Sequence, residues 1–122
     1  MSDEDYDSSH IQVIELAKNL YALIDQIRKR PAMYFGADSI TALQNFINGY
    51  IYACHAKDME ENERPPWGDF HEFVRAKTGF YESTSGWCNM ILDVNDRDEA
   101  KALAMFFVLF DTFLATAKEE EL

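Results

Sequence analysis

The chain is short of positive charge, glycine and cysteine, and each shortage removes a class of function. Eleven Lys and Arg stand against 22 Asp and Glu, a formal net charge of −11. Nucleic acid and anionic lipid are held by clustered Lys and Arg, so this balance argues against both as partners. The five Gly are not clustered, which leaves no loop able to cradle a phosphate through bare backbone. The two cysteines, Cys54 and Cys88, lie in apolar runs and read as small buried hydrophobes in a reducing compartment, not as a disulfide framework. The longest dense apolar run, Ala102 to Phe110, is nine residues, well short of the roughly 20 that span a bilayer. The opening MSDEDYDSSH is acidic and lacks the apolar stretch of an export signal. A cytoplasmic location is the expectation.

What the chain has is hydrophobic mass. It is 122 residues long and 48% hydrophobic, with nine Phe, six Tyr and two Trp. A domain of this size buries roughly 60% or a little more of its unfolded surface, enough for a core without metal or disulfide. The pattern predicts an acidic, disordered N-terminus over 1–8 and a single helical domain over 9–119.

Five segments carry the helical expectation. Ser8 or Ser9 caps the first, with Val13, Leu16, Ala17, Leu20, Tyr21, Ile24 and Ile27 at three-four spacing on one face. Arg28, Lys29 and Arg30 close it and Pro31 stops it. Asp38 or Ser39 caps the second, whose face runs from Ile40 through Leu43, Phe46, Ile47, Tyr50 and Ile51 to Cys54. Gly49 inside it costs about 1 kcal/mol of propensity relative to Ala, which a close helix–helix approach would explain. The charged, proline-bearing KDMEENERPP is a loop. A short helix begins at Trp67, with Phe70, Phe73 and Val74 sharing its face and Gly79 as its cap.

WCNMILDV is ambiguous. Trp87, Met90, Ile91 and Val94 fit a helix, while Cys88, Met90, Leu92 and Val94 fit a strand. A lone strand would have no partner here, so the helix is favoured. In the last helix Asp96 and Glu99 have the spacing of a capping box. Leu103, Phe106, Phe107, Phe110, Phe113, Leu114 and Ala117 line its core face, widened by Ala104, Met105 and Leu109. The fold class expected is all-α, an irregular bundle of four or five helices.

Catalytic and metal patterns are weak. Cys54, His55, His71 and Cys88 match no zinc-ligand spacing, and adjacent Cys54 and His55 diverge on a helix. Ser83, Thr84 and Ser85 lie in a loop without a nucleophile elbow. Asp69 and Glu72, an i, i+3 carboxylate pair, are better explained as a solvated face than as groups sharing a proton. No enzyme signature survives, and no cofactor is expected.

The run IRKRPAMYFG, Ile27–Gly36, resembles VRKRPGMYIG near the start of the ATPase domain of the gyrase B family of type II topoisomerases. In that family the next helix carries a Glu and, four residues on, an Asn that holds the nucleotide's magnesium. The aligned positions here are near Gly49 and Ala53, which neither bind a metal nor activate water. A structural role for the run is therefore expected: Pro31 ends a helix, Met33, Tyr34 and Phe35 tuck under the bundle, and Gly36 turns the chain. A wider resemblance joins the R-P-x-M-Y-x-G turn to SITALQNFINGYIYA, FHEFV and DEAKALAMFFVLFDTFL. Together they resemble the small acidic immunity proteins of bacterial toxin systems, including contact-dependent inhibition. That resemblance implies a fold family and an inhibitor function, and it carries over no toxin-binding residue.

The residues themselves supply a candidate surface. Asp58, Glu60, Glu61 and Glu63 precede Pro65-Pro66, and Asp69 and Glu72 follow, against Lys57 and Arg64. Such a surface suits the basic groove of a nuclease, where charge speeds encounter and aromatic anchors, here Trp67 and Tyr81, hold the complex. A plain solvated loop with Trp67 in the core fits the same residues. The first reading is an immunity protein that blocks the active site of a cognate basic toxin. The alternative is a helical scaffold or adaptor, homodimeric through an apolar face, with a small-molecule-binding domain a distant third.

Overall fold

The computed structural model describes residues 18–80 and 85–121, with side chains to Ala117. The expected acidic tail over 1–8, the expected helical turns over 9–17 and the candidate anchor Tyr81 lie outside the described residues. Six α-helices follow in order: α1 Leu20–Lys29, α2 Pro31–Phe35, α3 Ile40–Ala56, α4 Phe70–Thr78 behind a 3-10 turn at Trp67–Asp69, α5 Gly86–Val94 and α6 Glu99–Glu121. There is no strand among the described residues. The all-α class stands, with six helices among the described residues where four or five were expected.

The extra helix is the Arg-Pro run. Pro31 begins a helix instead of only ending one, because at the first helical position its missing N–H has no intrahelical partner to lose. Gly36, at φ +76°, closes this five-residue helix with its N–H on the Ala32 carbonyl. Tyr34 and Phe35 each pack on Phe46 with ring centroids 5.9 Å apart. Met33 does not tuck under the bundle; it is 44% exposed. Arg28 leaves the helix end and reaches α6, gripping both carboxylate oxygens of Asp111 at 2.6 and 3.2 Å. Its guanidinium lies 5.1 Å from the Phe107 ring centroid.

Polar side chains that claim the free N–H groups set the helix starts, as expected at Ser39 and differently elsewhere. The expected cap at Ser8 or Ser9 lies outside the described residues, but a helix start at Leu20 interrupts the run expected to continue to Ile27, because Asn19 is extended and accepts from the Ala22 N–H. Ser39 caps α3 by accepting from the Ala42 N–H at 3.1 Å. Asp96 does not cap α6: it and Arg97 have φ of +55° and +61°, a left-handed turn that delays the helix. Asp98 caps instead, accepting from the Lys101 N–H at 3.0 Å. Glu99 is released from any capping box and reaches the start of α3.

The core centres on α5 and α6. α5 packs against α3, α4 and α6, so Trp87, Cys88, Met90, Ile91 and Leu92 are all buried. Burial on more than one face explains why its sequence also fits alternation. α6 contributes Ala102, Leu103, Phe106, Leu109, Phe110 and Phe113, while Ala104 is exposed and Phe107 half-buried. The window Glu99–Ala117, at mean hydropathy 1.6, is long and apolar enough to cross a membrane by length and composition, and 33% of it is buried in the fold. The nine-residue apolar run understates this helix, since Asp111 interrupts a stretch that continues to Ala117.

Gly49 makes no close helix contact: it is exposed, and a Cβ there meets nothing within 4 Å. Gly49→Ala is therefore expected to stabilise the fold by about 1 kcal/mol. A thermal melt should show the midpoint rising by about 3–5 °C.

Candidate binding groove and its acidic rim

α3 outlasts the core it packs on. Its buried residues end at Ile47, and Tyr50, Ile51 and Cys54 are only half-buried. The chain then turns at Asp58, in the left-handed region at φ +53°, and the Met59 N–H bonds back to the Cys54 carbonyl at 2.9 Å. The loop that follows passes the start of α1. Between them lies a groove of about 450 Å³, lined by Lys18–Leu20, Tyr50, Ile51, Cys54, His55, Met59–Glu63, Trp67 and Gly68. That volume falls in the usual range for ligand pockets.

Side-chain hydrogen bonds fix the loop. Glu63 is 8% exposed, and its Oε2 accepts from the Leu20 N–H at 3.2 Å. A carboxylate at a helix start satisfies a free donor and suits the helix dipole. The Tyr21 hydroxyl donates to the Pro65 carbonyl, next to a cis Arg64–Pro65 bond. Glu61 accepts from the Trp67 N–H at 3.1 Å. Burial, and then the charges of Glu63, Glu61 and Asp69, push the Tyr21 phenol well above its ordinary range, so it stays protonated and can donate.

The acidic set expected from sequence divides. Asp58, Glu60 and Glu61 are exposed, and Glu60 and Glu61 line the groove. Glu63 lines it too, but as a buried structural carboxylate and not as part of a solvated surface. Asp69 lies in a second hollow of about 520 Å³ with Arg64, Pro65, Phe73 and Phe113. Glu72 is taken by Arg75, whose Nε donates at 2.8 Å; that bond holds the Glu72 carboxyl below its ordinary range. Trp67 is less a projecting anchor than an edge of the core, stacked on Phe70 at 4.8 Å and edge-on to Trp87 at 5.7 Å.

Tyr50, Cys54, His55 and Met59 complete the groove and were absent from the sequence-derived site. The signal was the unusual length of the α3 face, which continues past the point where its partners end. The Tyr50 phenol is pushed up by burial first and then by its hydrogen bond with Cys54. Cys88 is remote from the groove; burial, then the Glu99 charge, lifts its thiol to about 11, which keeps it protonated and a poor nucleophile. Among the described residues no three of His, Cys, Asp and Glu converge to hold a metal. The groove thus combines an apolar floor with a carboxylate wall, an arrangement for binding an amphipathic cation.

No family model matches the chain, and neither a curated protein nor a solved structure matches it.

Proposed function

We propose that this chain is a non-catalytic binding protein that neutralises a basic protein, acting as an immunity protein that covers the active site of a cognate toxin. The observation that carries the reading is the exposed acidic rim, Asp58, Glu60 and Glu61, beside an apolar groove. Among the described residues none of the three forms an ion pair within the chain. Their charge is thus available to a partner, and the overall −11 adds long-range attraction for a basic surface. A nuclease is a fitting target, since its phosphate-binding groove presents the complementary charge. A cytoplasmic site of action is part of this proposal.

The test is co-purification with the polypeptide encoded beside this chain, at low and high salt. A basic partner held at nanomolar affinity, and losing an activity on binding, supports the reading. The triple variant Asp58→Asn, Glu60→Gln, Glu61→Gln is expected to slow association about tenfold and to flatten its salt dependence. Glu61→Gln keeps an acceptor for the Trp67 N–H, so the loop is retained. An unchanged association rate would refute the rim's role. The scaffold reading draws on exposed Tyr52 and Val108; a homodimer that ignores the neighbouring polypeptide would replace inhibition with it.

A further inference from the structure

We infer that the groove is a receptor for a single arginine side chain of the basic partner, with Glu63 as its carboxylate and Tyr50 and Trp67 as its aromatic walls. This deepens the reading above and rests on it for the identity of the partner, though not for the chemistry of the site. Glu63 is 8% exposed, yet no cation pairs with it among the described residues. One oxygen serves the Leu20 N–H, and no hydrogen bond engages Oε1 there. That oxygen is not among the buried side-chain atoms left without a partner, so it is open to water and to an incoming donor, with which a guanidinium would form a charge-assisted bond. Here the remaining oxygen belongs to a side chain that lines an open groove of about 450 Å³.

Two features select arginine. Its planar guanidinium forks onto carboxylates and stacks on aromatic faces, and it sheds water more readily than an ammonium. Glu60 and Glu61 on the same wall add acceptors for its outer N–H groups. Within the chain, Lys18 lines the groove but is exposed and forms no ion pair with Glu63. Residues 1–17 contain no Lys or Arg, so the preceding segment has no guanidinium or lysine ammonium to offer the site.

The full chain would be titrated with the blocked peptide acetyl-Leu-Arg-Leu-amide, following the Trp67 indole and Leu20 amide by NMR. The control peptide carries citrulline, which keeps the shape and loses the charge. Saturable shifts at both reporters with the arginine peptide are expected. Affinity should fall at least about tenfold with citrulline and in Glu63→Gln, which still accepts from the Leu20 N–H. Equal binding of both peptides, shifts elsewhere, or no binding would overturn the inference. If the neighbouring polypeptide binds and Glu63→Gln leaves that affinity unchanged, the arginine site fails while the proposed function stands. If the peptide binds as expected and the polypeptide does not, the function fails and the site stands.

Discussion

Phe70→Ala is expected to lower the unfolding free energy by about 3–5 kcal/mol, the largest effect of any single truncation considered for this fold. Phe70 is fully buried and meets four aromatic rings drawn from three other elements. Its ring lies 4.8 Å from Trp67, 5.6 Å from Trp87, 5.4 Å from Phe106 and 5.1 Å from Phe113, centroid to centroid. Three of these contacts are edge-to-face, the geometry in which an aromatic pair adds about 0.5–1.5 kcal/mol beyond area burial. Neighbours drawn from the 3-10 turn, α5 and α6 cannot all collapse into the vacated space, so a cavity remains. Against a typical total of about 5–15 kcal/mol the loss is severe. Phe70→Leu keeps most of the volume and should cost about 1.5 kcal/mol or less. Urea unfolding at constant m value measures both. If truncating half-buried Phe107 costs more than truncating Phe70, the hub lies elsewhere.

The same ring connects the core to the groove. Trp67 stacks on Phe70 with one face, and its backbone N–H is held by Glu61 on the groove's rim. The wall is therefore positioned by the core and not by the loop alone.

Apolar periodicity made most of this architecture legible, because α3, α4 and α6 each bury one broad stripe. It was ambiguous for α5 for a physical reason: several helices surround that segment, so Cys88 and Leu92 are buried beside Trp87 and Ile91 and imitate a strand's alternation. Caps were harder to place than faces. Asp96, Arg97 and Asp98 all stand near the start of α6, and only the left-handed backbone at Asp96 and Arg97 decides that Asp98 takes the role. Pro31 shows the same limit: a proline is compatible with the end of one helix and the start of the next, and here it lies between both.

The candidate site was legible as charge and not as geometry. A carboxylate on a loop looks solvated in sequence whether it faces water, as Glu60 does, or caps a helix far along the chain, as Glu63 does 43 positions from Leu20. Nor does composition show that Glu72 is already neutralised by Arg75. Of the acidic cluster only Glu63 loses the exposed character first expected of it, though Glu72 is spent on Arg75 and Asp69 faces the second hollow. Of the groove residues missed from sequence, Tyr50 and Cys54 come from a face that had been assigned wholly to the core and Met59 from the loop.

A second carboxylate with a hidden structural role gives the other large expected effect. Glu99, at the start of α6, accepts from the Ser39 hydroxyl at 2.8 Å, the Thr41 N–H at 2.9 Å and the Thr41 hydroxyl at 2.7 Å. It thus anchors the start of α3 from across the bundle, doing for another helix what an N-cap does for its own. Glu99→Ala is expected to cost about 2 kcal/mol, and Glu99→Gln, which keeps one acceptor oxygen, about half as much. The charge also sets a pH dependence. The Thr41 N–H first, then the Thr41 and Ser39 hydroxyls and Arg97, hold the Glu99 carboxyl below its ordinary value against the opposing effect of burial. A carboxyl that is more acidic folded than unfolded stabilises the fold above its unfolded pKa of about 4.3, and the gain disappears as pH falls through the folded value. The stability gap between wild type and Glu99→Gln should therefore be constant from pH 7 to about pH 5 and shrink below about pH 4. Urea midpoints measured across that range test it. A gap that persists undiminished well below the carboxylate range would show that the shape of the Glu99 side chain, and not its charge, ties α6 to the start of α3.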